Sequence, residues 1–564
     1  MLIGIDVGGT FTDGVLFDNQ HSEVVRSVKV PTSNEQLQFT LLEVLDRLLL
    51  DQGSQSIQRI VLSTTLVTNL LATNRGEPPA LVLIPGPGLP PEYLLRFPHT
   101  YIVQGSMDFR GRETEKINQA EIETTAAAIR AAGIGKIAVV GKFSNRNAQH
   151  EQSVRTMIKA VYPEAEVGIG SELAGQLNFL RRIATSYYSL MTRTPWTAFA
   201  RDIERAMADR NLDQVPLDIL KADGGTMPLR NALQYPCETI LSGPAASTMG
   251  ARAVTGQNTT AVVMDIGGTT TDISLLLDGQ PLYASRGARI NGSYTHIKAI
   301  STRSLPLGGD SPLGTDADKG VVISPVRKGP AACFGGENAT VTDVFNCKYH
   351  LNIGDMEKSY DRLQLLQTQT SLGLEEIFDR IEKNVMEQLQ DALENIFAEW
   401  ENEPAYRVWE VVHGRRFEVR RIIGIGAAAA AIVPPLAEAM KTECFIHELA
   451  PIANALGAAV ARPTLAFNLH IDTEKGSYFT DQDGLGGTIR KGTVMQLEDA
   501  QVLAGKVMKE LAERKGLGDY GAEAEFTREE QFNMIRGWDR TGKIFELGMQ
   551  IKPGFIKEFK EGSL

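Results

Sequence analysis

An α/β protein of two large domains, each carrying the same phosphate-binding hairpin, is predicted by three observations. At 564 residues the chain is too long for one hydrophobic core and suits two large domains plus extras. Short apolar, β-prone runs alternate with helical patterns along most of its length. An eleven-residue segment occurs twice: residues 3–13 read IGIDVGGTFTD and residues 262–272 read VVMDIGGTTTD.

In the two copies Asp6 aligns with Asp265, Gly8 and Gly9 with Gly267 and Gly268, Thr10 with Thr269, Thr12 with Thr271, and Asp13 with Asp272. Apolar runs flank each Gly-Gly-Thr, the pattern of a hairpin around a tight turn. Two glycines remove the side chains that would keep backbone N–H groups from an anion, so a nest of donors can face phosphate oxygens. Gly8, Gly9, Thr10, Thr12, Gly267, Gly268, Thr269, Thr270 and Thr271 are therefore the expected phosphate contacts. Asp6 and Asp265 repel phosphate but suit Mg²⁺, whose hard oxygen ligands include carboxylate and water; they are the expected catalytic and metal-binding pair. One such turn alone would be read as an ordinary hairpin. Recurrence of the flanking acids and threonines, which turn chemistry does not demand, favours the phosphate clamp. Asp13 and Asp272 are expected to brace their hairpins.

In chain order, residues 24–30 follow as a third strand and Leu37, Leu41, Val44, Leu45 and Leu48 mark a helix. Residues 60–76 pass from strand through a Thr-rich turn into a helix; 80–85, 136–141 and 165–170 are buried-strand candidates. A long amphipathic stretch, 177–212, carries Arg181 and Arg182, and 218–225 is a strand ending in a glycine turn. LSGPAASTMGARAV (241–254) suits a close-packed helix that starts at a proline. Residues 287–355 are loop-rich and include LPLGGDSPLG (305–314); 375–397 form a clean helix; 420–440 read strand, turn, helix; 452–463 are a small-residue helix. The last hundred or so residues read as an appended segment rather than a catalytic core.

With 57 basic and 69 acidic residues the net charge is −12, which argues against nucleic acid or an anionic membrane as partner. The N-terminus lacks a basic region and a long apolar run, so no signal peptide is expected, and AAAAAIV before Pro434 is too short to span a bilayer. Four cysteines without close pairing suit a reducing cytoplasm.

The order of motifs resembles the superfamily of sugar kinases, actin and the seventy-kilodalton chaperones. That resemblance implies two ribonuclease-H-like domains with ATP in the cleft: 1–258, with an insertion at about 85–215, and 259–464, with a loop-rich insertion at about 287–370, then a C-terminal α+β segment, 465–564. It implies that 242–254 and 453–462 are paired connecting helices and that Asp6 and Asp265 organise metal and attacking water. Gly424 and Gly426 would form the adenosine turn, and Gly308, Gly309 and Asp310 the turn that approaches ribose and phosphates. IDVGGTFTD, TTLVTNLLATNRG, LSGPAASTMGA and DIGGTTTDISLL are most similar to the hydantoinase A / 5-oxoprolinase family, over roughly residues 1–465. That family implies ATP-dependent opening of hydantoins, 5-oxoproline or related carbonyl compounds; a separate hydantoinase B-like subunit and a homo-oligomer are the expected partners. A small-molecule kinase and a nucleotide-switched activator of a partner protein are the alternatives. The adenosine turn departs from the family by reading GIGAAAA.

Other features carry blander readings. G-x-G-x-x-A at 424 has no acid at dinucleotide spacing, and neither a P-loop nor H-E-x-x-H occurs. His296 is read as a hydrogen-bonded histidine, Cys333 and Cys347 as inert, and the Arg181–Arg182 pair as a solvated helix face. For Asp310, ligand contact and a plain turn role weigh equally.

Overall fold

Apolar residues on both sides of each Gly-Gly-Thr make the two copies antiparallel hairpins. The computed structural model describes residues 1–33, 37–50, 56–256, 260–317, 320–370, 372–402, 417–490, 494–536, 539–560 and 562. The first hairpin pairs Leu2–Val7 with Phe11–Asp18 and the second pairs Ala261–Ile266 with Thr271–Leu277. Their registers are equivalent, with Asp6 opposite Asp13 and Asp265 opposite Asp272.

Each hairpin is extended in the same way. A third antiparallel strand lies outside it, Glu23–Pro31 or Thr302–Leu305. On the inner side come two parallel strands, Arg59–Thr64 then Leu217–Leu220, or Arg421–Ile425 then Glu443–Ile446. Parallel neighbours require crossover connections, and these supply the helices that cover the sheets. The common strand order thus extends well beyond the eleven duplicated residues.

Two helices rich in small residues, Ser242–Thr255 and Ala453–Val460, cross between the sheets. Ala251 and Ala453 pack with Val263 and Ile423 of the second sheet, whereas Ala455, Leu456 and Ala459 pack with Leu2, Val15 and Phe17 of the first. The crossing is close because side chains are missing. A Cβ at Gly457 would strike the Gly250 amide and the Ala246 carbonyl, and one at Gly250 the Ala453 carbonyl.

A four-stranded parallel sheet (Glu166–Ile169, Lys136–Gly141, Ala80–Ile84, Thr100–Ile102) has its own core, so this layer already begins ahead of residue 85. Beside it runs the helix Phe179–Ala208. The solvated reading of its arginine pair is corrected at Arg182, which is 1% exposed and donates to the carbonyls of Gln176 at 2.6 Å and Gly141 at 2.7 Å. The helix packs on several sides, so a polar residue near its start must be satisfied by carbonyls rather than water.

Residues 465–551 form a five-stranded antiparallel sheet with the helix Leu497–Lys515 and a separate core around Leu469, Met508, Leu511 and Phe545. This segment is tied to the rest of the chain: Arg146 donates to Glu546 at 2.5 Å and Lys298 to Gln550 at 2.6 Å. The tail returns to the first hairpin, where Phe559 packs on Phe17. The boundary expected between residues 258 and 259 lies outside the described residues. Among those described, no helix is long and apolar enough to cross a membrane, and all four cysteines are free.

Candidate active site

The two glycine turns meet. Thr10 Oγ1 and Thr269 Oγ1 lie 2.9 Å apart although 259 residues separate them in sequence. Each turn is closed by its first glycine, Gly8 donating to the Phe11 carbonyl at 3.1 Å and Gly267 to the Thr270 carbonyl at 3.0 Å. Among the described residues, the amides of Gly9, Thr10, Gly268 and Thr269 have no protein acceptor. Unclaimed amides of this kind form an anion-binding concavity. None of the four turn glycines is left-handed, so the glycines are required for a bare surface rather than for φ. At Gly268 a Cβ would run into the Asp310 carboxylate.

A third set of donors comes from the crossing helix Ser242–Thr255. Ser242 Oγ donates to the Thr64 carbonyl at 3.0 Å, docking the helix start beside the strand end that is level with Val7. Leu241, just ahead of the helix, is left-handed at φ 55°. A non-glycine residue there costs roughly 1–2 kcal/mol, a strain that fixes how the chain enters the helix. The positive end of a helix favours an anion.

The carboxylates are held from the same two helices. Asn454 Nδ2 donates to Asp6 Oδ2 at 2.7 Å, and Ser247 Oγ donates to Asp265 Oδ2 at 2.5 Å. Asp6 is 3% exposed and, among the described residues, its Oδ1 has no hydrogen-bond partner, an arrangement that suits a cation or ordered water as the missing partner. Gly426, left-handed at φ 84°, leaves room for Asp265: a Cβ would collide with its Oδ1. Burial first, then the charges of Asp13 and Asp265, pushes Asp6 up to about 7. Burial likewise raises Asp265.

The braces differ between the halves. Asp13 is paired with Lys29, opposite it on the third strand, and also accepts from Asn454 at 3.4 Å. At the equivalent place opposite Asp272 stands Ser304, and burial followed by the charge of Asp265 pushes Asp272 up to about 7. A carboxyl raised in the folded state contributes stability that is present below its unfolded value and lost as pH rises through about 7. Asp272→Asn should therefore raise the melting temperature of the nucleotide-free protein at pH near 8 and raise it by much less near pH 5. An equal shift at both values would contradict the uncompensated charge.

Several expected contacts belong to the protein instead. Thr12 is fully buried with its hydroxyl 2.9 Å from that of Thr32, and Thr271 donates to the Leu307 carbonyl at 2.7 Å. The amides of Gly309 and Asp310 donate to the carbonyls of Gly267 at 2.9 Å and Gly268 at 2.7 Å, and Gly308 donates to Ser311 Oγ at 2.9 Å. The Asp310 carboxylate accepts from Arg327 Nε and the Ala331 amide, each at 3.0 Å. This buried turn backs the second glycine turn, with the amides of Gly308, Gly309 and Asp310 all bonded to protein acceptors. Gly424 sits inside a strand against Val433, Ile446 and Ala429, so only Gly426 of the presumed adenosine glycines lies in the turn. Thr270 is half-buried in the second glycine turn itself. His296 also follows its bland reading, with Nε2 3.3 Å from the Asn178 carbonyl and burial holding its pKa down at about 4.

Sequence reasoning missed Asn454, Ser247 and Lys29. For Asn454 and Ser247 the available signal was a polar residue interrupting a run of alanine and glycine, in IANALGAA and LSGPAASTMGA.

Two family models match the chain: the hydantoinase/oxoprolinase N-terminal region over residues 2–162 and hydantoinase/oxoprolinase over 190–466. The alpha subunit of caprolactamase from Pseudomonas jessenii is 23% identical over 387 residues, 61% of this chain and 53% of that protein. The 5-oxoprolinase of Saccharomyces cerevisiae is 21% identical over 537 residues, 81% of this chain and 41% of that protein. The chain thus spans about half or less of the length of these curated relatives. Nucleotide-free acetone carboxylase shares the fold with a TM-score of 0.72 at 16% identity, covering 99% of this chain and 88% of that one. The ATP-dependent caprolactamase of Pseudomonas jessenii does so with a TM-score of 0.68 at 18% identity, covering 97% and 87%.

Proposed function

The chain belongs to the hydantoinase/oxoprolinase family, and from that premise we propose that it couples ATP hydrolysis to the opening of a cyclic amide, of hydantoin or 5-oxoproline type, or a related carbonyl compound. The observation that carries this reading is the Thr10–Thr269 contact, which brings two sets of unclaimed turn amides to one place. A triphosphate gripped from both sides suits phosphoryl transfer, where catalysis is mostly positioning and electrostatics.

In this reading the amides of Gly9, Thr10, Gly268 and Thr269, with the hydroxyls of Thr10, Thr269 and Thr270, hold phosphate oxygens and stabilise the charge that develops on them. Asn454 and Ser247 keep the two carboxylates oriented. Asp6 and Asp265 would hold Mg²⁺ directly or through water, and the ion supplies charge neutralisation to the phosphates; two carboxylates suit a metal that keeps several waters. The domains would be two ribonuclease-H-like units, 1–258 and 259–464, closing about the crossing helices and excluding water, with 465–564 as a third part. Four free thiols accord with a reducing cytoplasm. The caprolactamase relative is named as an alpha subunit, which supports a second subunit here as well.

The test is stoichiometry. With ATP, magnesium and a panel of hydantoin, 5-oxoproline and caprolactam, offered with any subunit that co-purifies, one phosphate should appear for each ring-opened acid. A stable phosphorylated product in place of free phosphate would make the protein a kinase. ATP turnover that no carbonyl compound stimulates, joined to nucleotide-dependent binding of a partner, would make it an activator.

A further inference from the structure

In the four-stranded parallel sheet the spatial order is Thr100–Ile102, Ala80–Ile84, Lys136–Gly141, Glu166–Ile169, so the strand that comes first in the chain lies between the second and the third. The connection leaving Ala80–Ile84 packs on one face, where Leu94 joins Leu81 and Leu83. The helix that follows Lys136–Gly141, Gln149–Val161, packs on the other, where Val154 and Ile158 join Ile137 and Val139. Neighbouring strands whose connections part in this way leave a crevice at their carboxyl ends, the usual ligand position in an open α/β sheet.

Buried polar atoms without partners gather at that end. Phe143, just past the third strand, is left-handed at φ 61°, a conformation that bulky residues rarely adopt and that collects where loops position ligands. Ser144 and Asn145 beside it are 5% and 8% exposed. Among the described residues Ser144 Oγ, Asn145 Oδ1 and, after the fourth strand, Ser171 Oγ have no hydrogen-bond partner, as Asp6 Oδ1 has none near the glycine turns. Asn145 lines a cavity of about 690 Å³, counted out to its mouth, whose other wall is the C-terminal sheet. That volume suits an organic molecule rather than a lone inorganic ion. No residue of the two glycine turns lines it.

Three guanidiniums face this cavity: Arg146 next to Asn145, Arg181 of the long helix, and Arg528 of the strand Glu525–Arg536. Both carboxylates of the lining are engaged among the described residues. Glu546 is held by Arg146 at 2.5 Å and His470 at 2.8 Å, and Asp481 accepts from Asn468 at 2.7 and 2.6 Å. Arg528 donates to Glu530 at 2.5 Å, a surface pair that an incoming anion can share. In a chain of net charge −12 this cationic surplus is local, and it selects an anion. Guanidinium forks match carboxylates, and cations drawn from three separate elements suit an extended ligand better than a compact one.

We propose that this cavity is a second ligand site, apart from the glycine turns, and that it takes a small organic di- or tricarboxylate. The carboxylates meet the guanidiniums, and the Asn145 amide donates to the same anion. Because its walls belong to the inserted sheet and the C-terminal part, the ligand ties the two together. The site requires nothing of the amide-opening reading.

The probe is citrate, with acetate and inorganic phosphate as controls at matched ionic strength, titrated calorimetrically into the full chain free of nucleotide and magnesium. Citrate should bind once per chain, roughly 10- to 100-fold more tightly than either control, and should raise the melting temperature. Arg528→Gln and Asn145→Leu should each weaken citrate roughly tenfold and leave ATP affinity at the wild-type value. Arg528 is exposed, so its variant keeps the test decisive even where the buried substitution misfolds. Equal affinities for citrate and the controls, or citrate binding untouched by Arg528→Gln, would overturn the site. Displacement of citrate by ATP would do the same, by placing the anion at the glycine turns.

Discussion

Asp265→Ala should yield a folded protein whose ATP turnover, followed as released phosphate, drops roughly 100- to 10,000-fold, the range for removing a positioned catalytic acid or base. The carboxylate is held by Ser247 at 2.5 Å on one oxygen, and Gly426 is kept bare to make room for the other. Such a side chain is confined by its surroundings, so little else nearby can take its place. Asp265→Asn makes the sharper variant, because it keeps the shape and a hydrogen bond to Ser247 while removing the charge. Loss in both variants identifies charge as the requirement; near-normal turnover in either would remove Asp265 from the chemistry. Because burial already raises Asp265, stability alone should not suffer from its neutralisation, and melting experiments can separate the two effects.

Gly457→Ala should cost stability and activity together. The added methyl would overlap the Gly250 amide and the Ala246 carbonyl, which are backbone atoms and cannot rotate away. Overpacking a tight contact costs typically about 1–3 kcal/mol, so a lower melting temperature and a lower denaturation midpoint are expected. The functional loss follows from geometry. Asn454 lies one turn before Gly457 on its helix, and Ser247 directly follows Ala246 on the other. Helices pushed apart at their crossing would carry both side chains off Asp6 and Asp265. Misplacement by about 1 Å far from the chemistry can cost about 100-fold in rate. Wild-type melting with wild-type turnover would show that the crossing is looser than its contacts indicate.

The chain covers most of the solved acetone carboxylase and caprolactamase chains while matching only part of the curated relatives' length.

The sequence by itself determined the duplicated hairpins, the third strand beside the first, the small-residue helices and the family. These features are local: alternating apolar residues specify a strand, and Gly-Gly between two such runs specifies a turn whatever lies elsewhere. It could not decide which way each predicted ligand faces. Thr10 and Thr12 read alike in the motif, yet one meets its counterpart across the cleft and the other is buried on Thr32. Gly308, Gly309 and Asp310 read as a nucleotide turn, yet the amides of Gly309 and Asp310 bond to Gly267 and Gly268, some forty residues away in sequence. Likewise only the fold brings Asn454 to Asp6, 448 residues apart, and sets Lys298 against Gln550. Hydrogen-bond satisfaction is a property of the folded surroundings, and no spacing along the chain encodes it when the donor and acceptor lie on different layers.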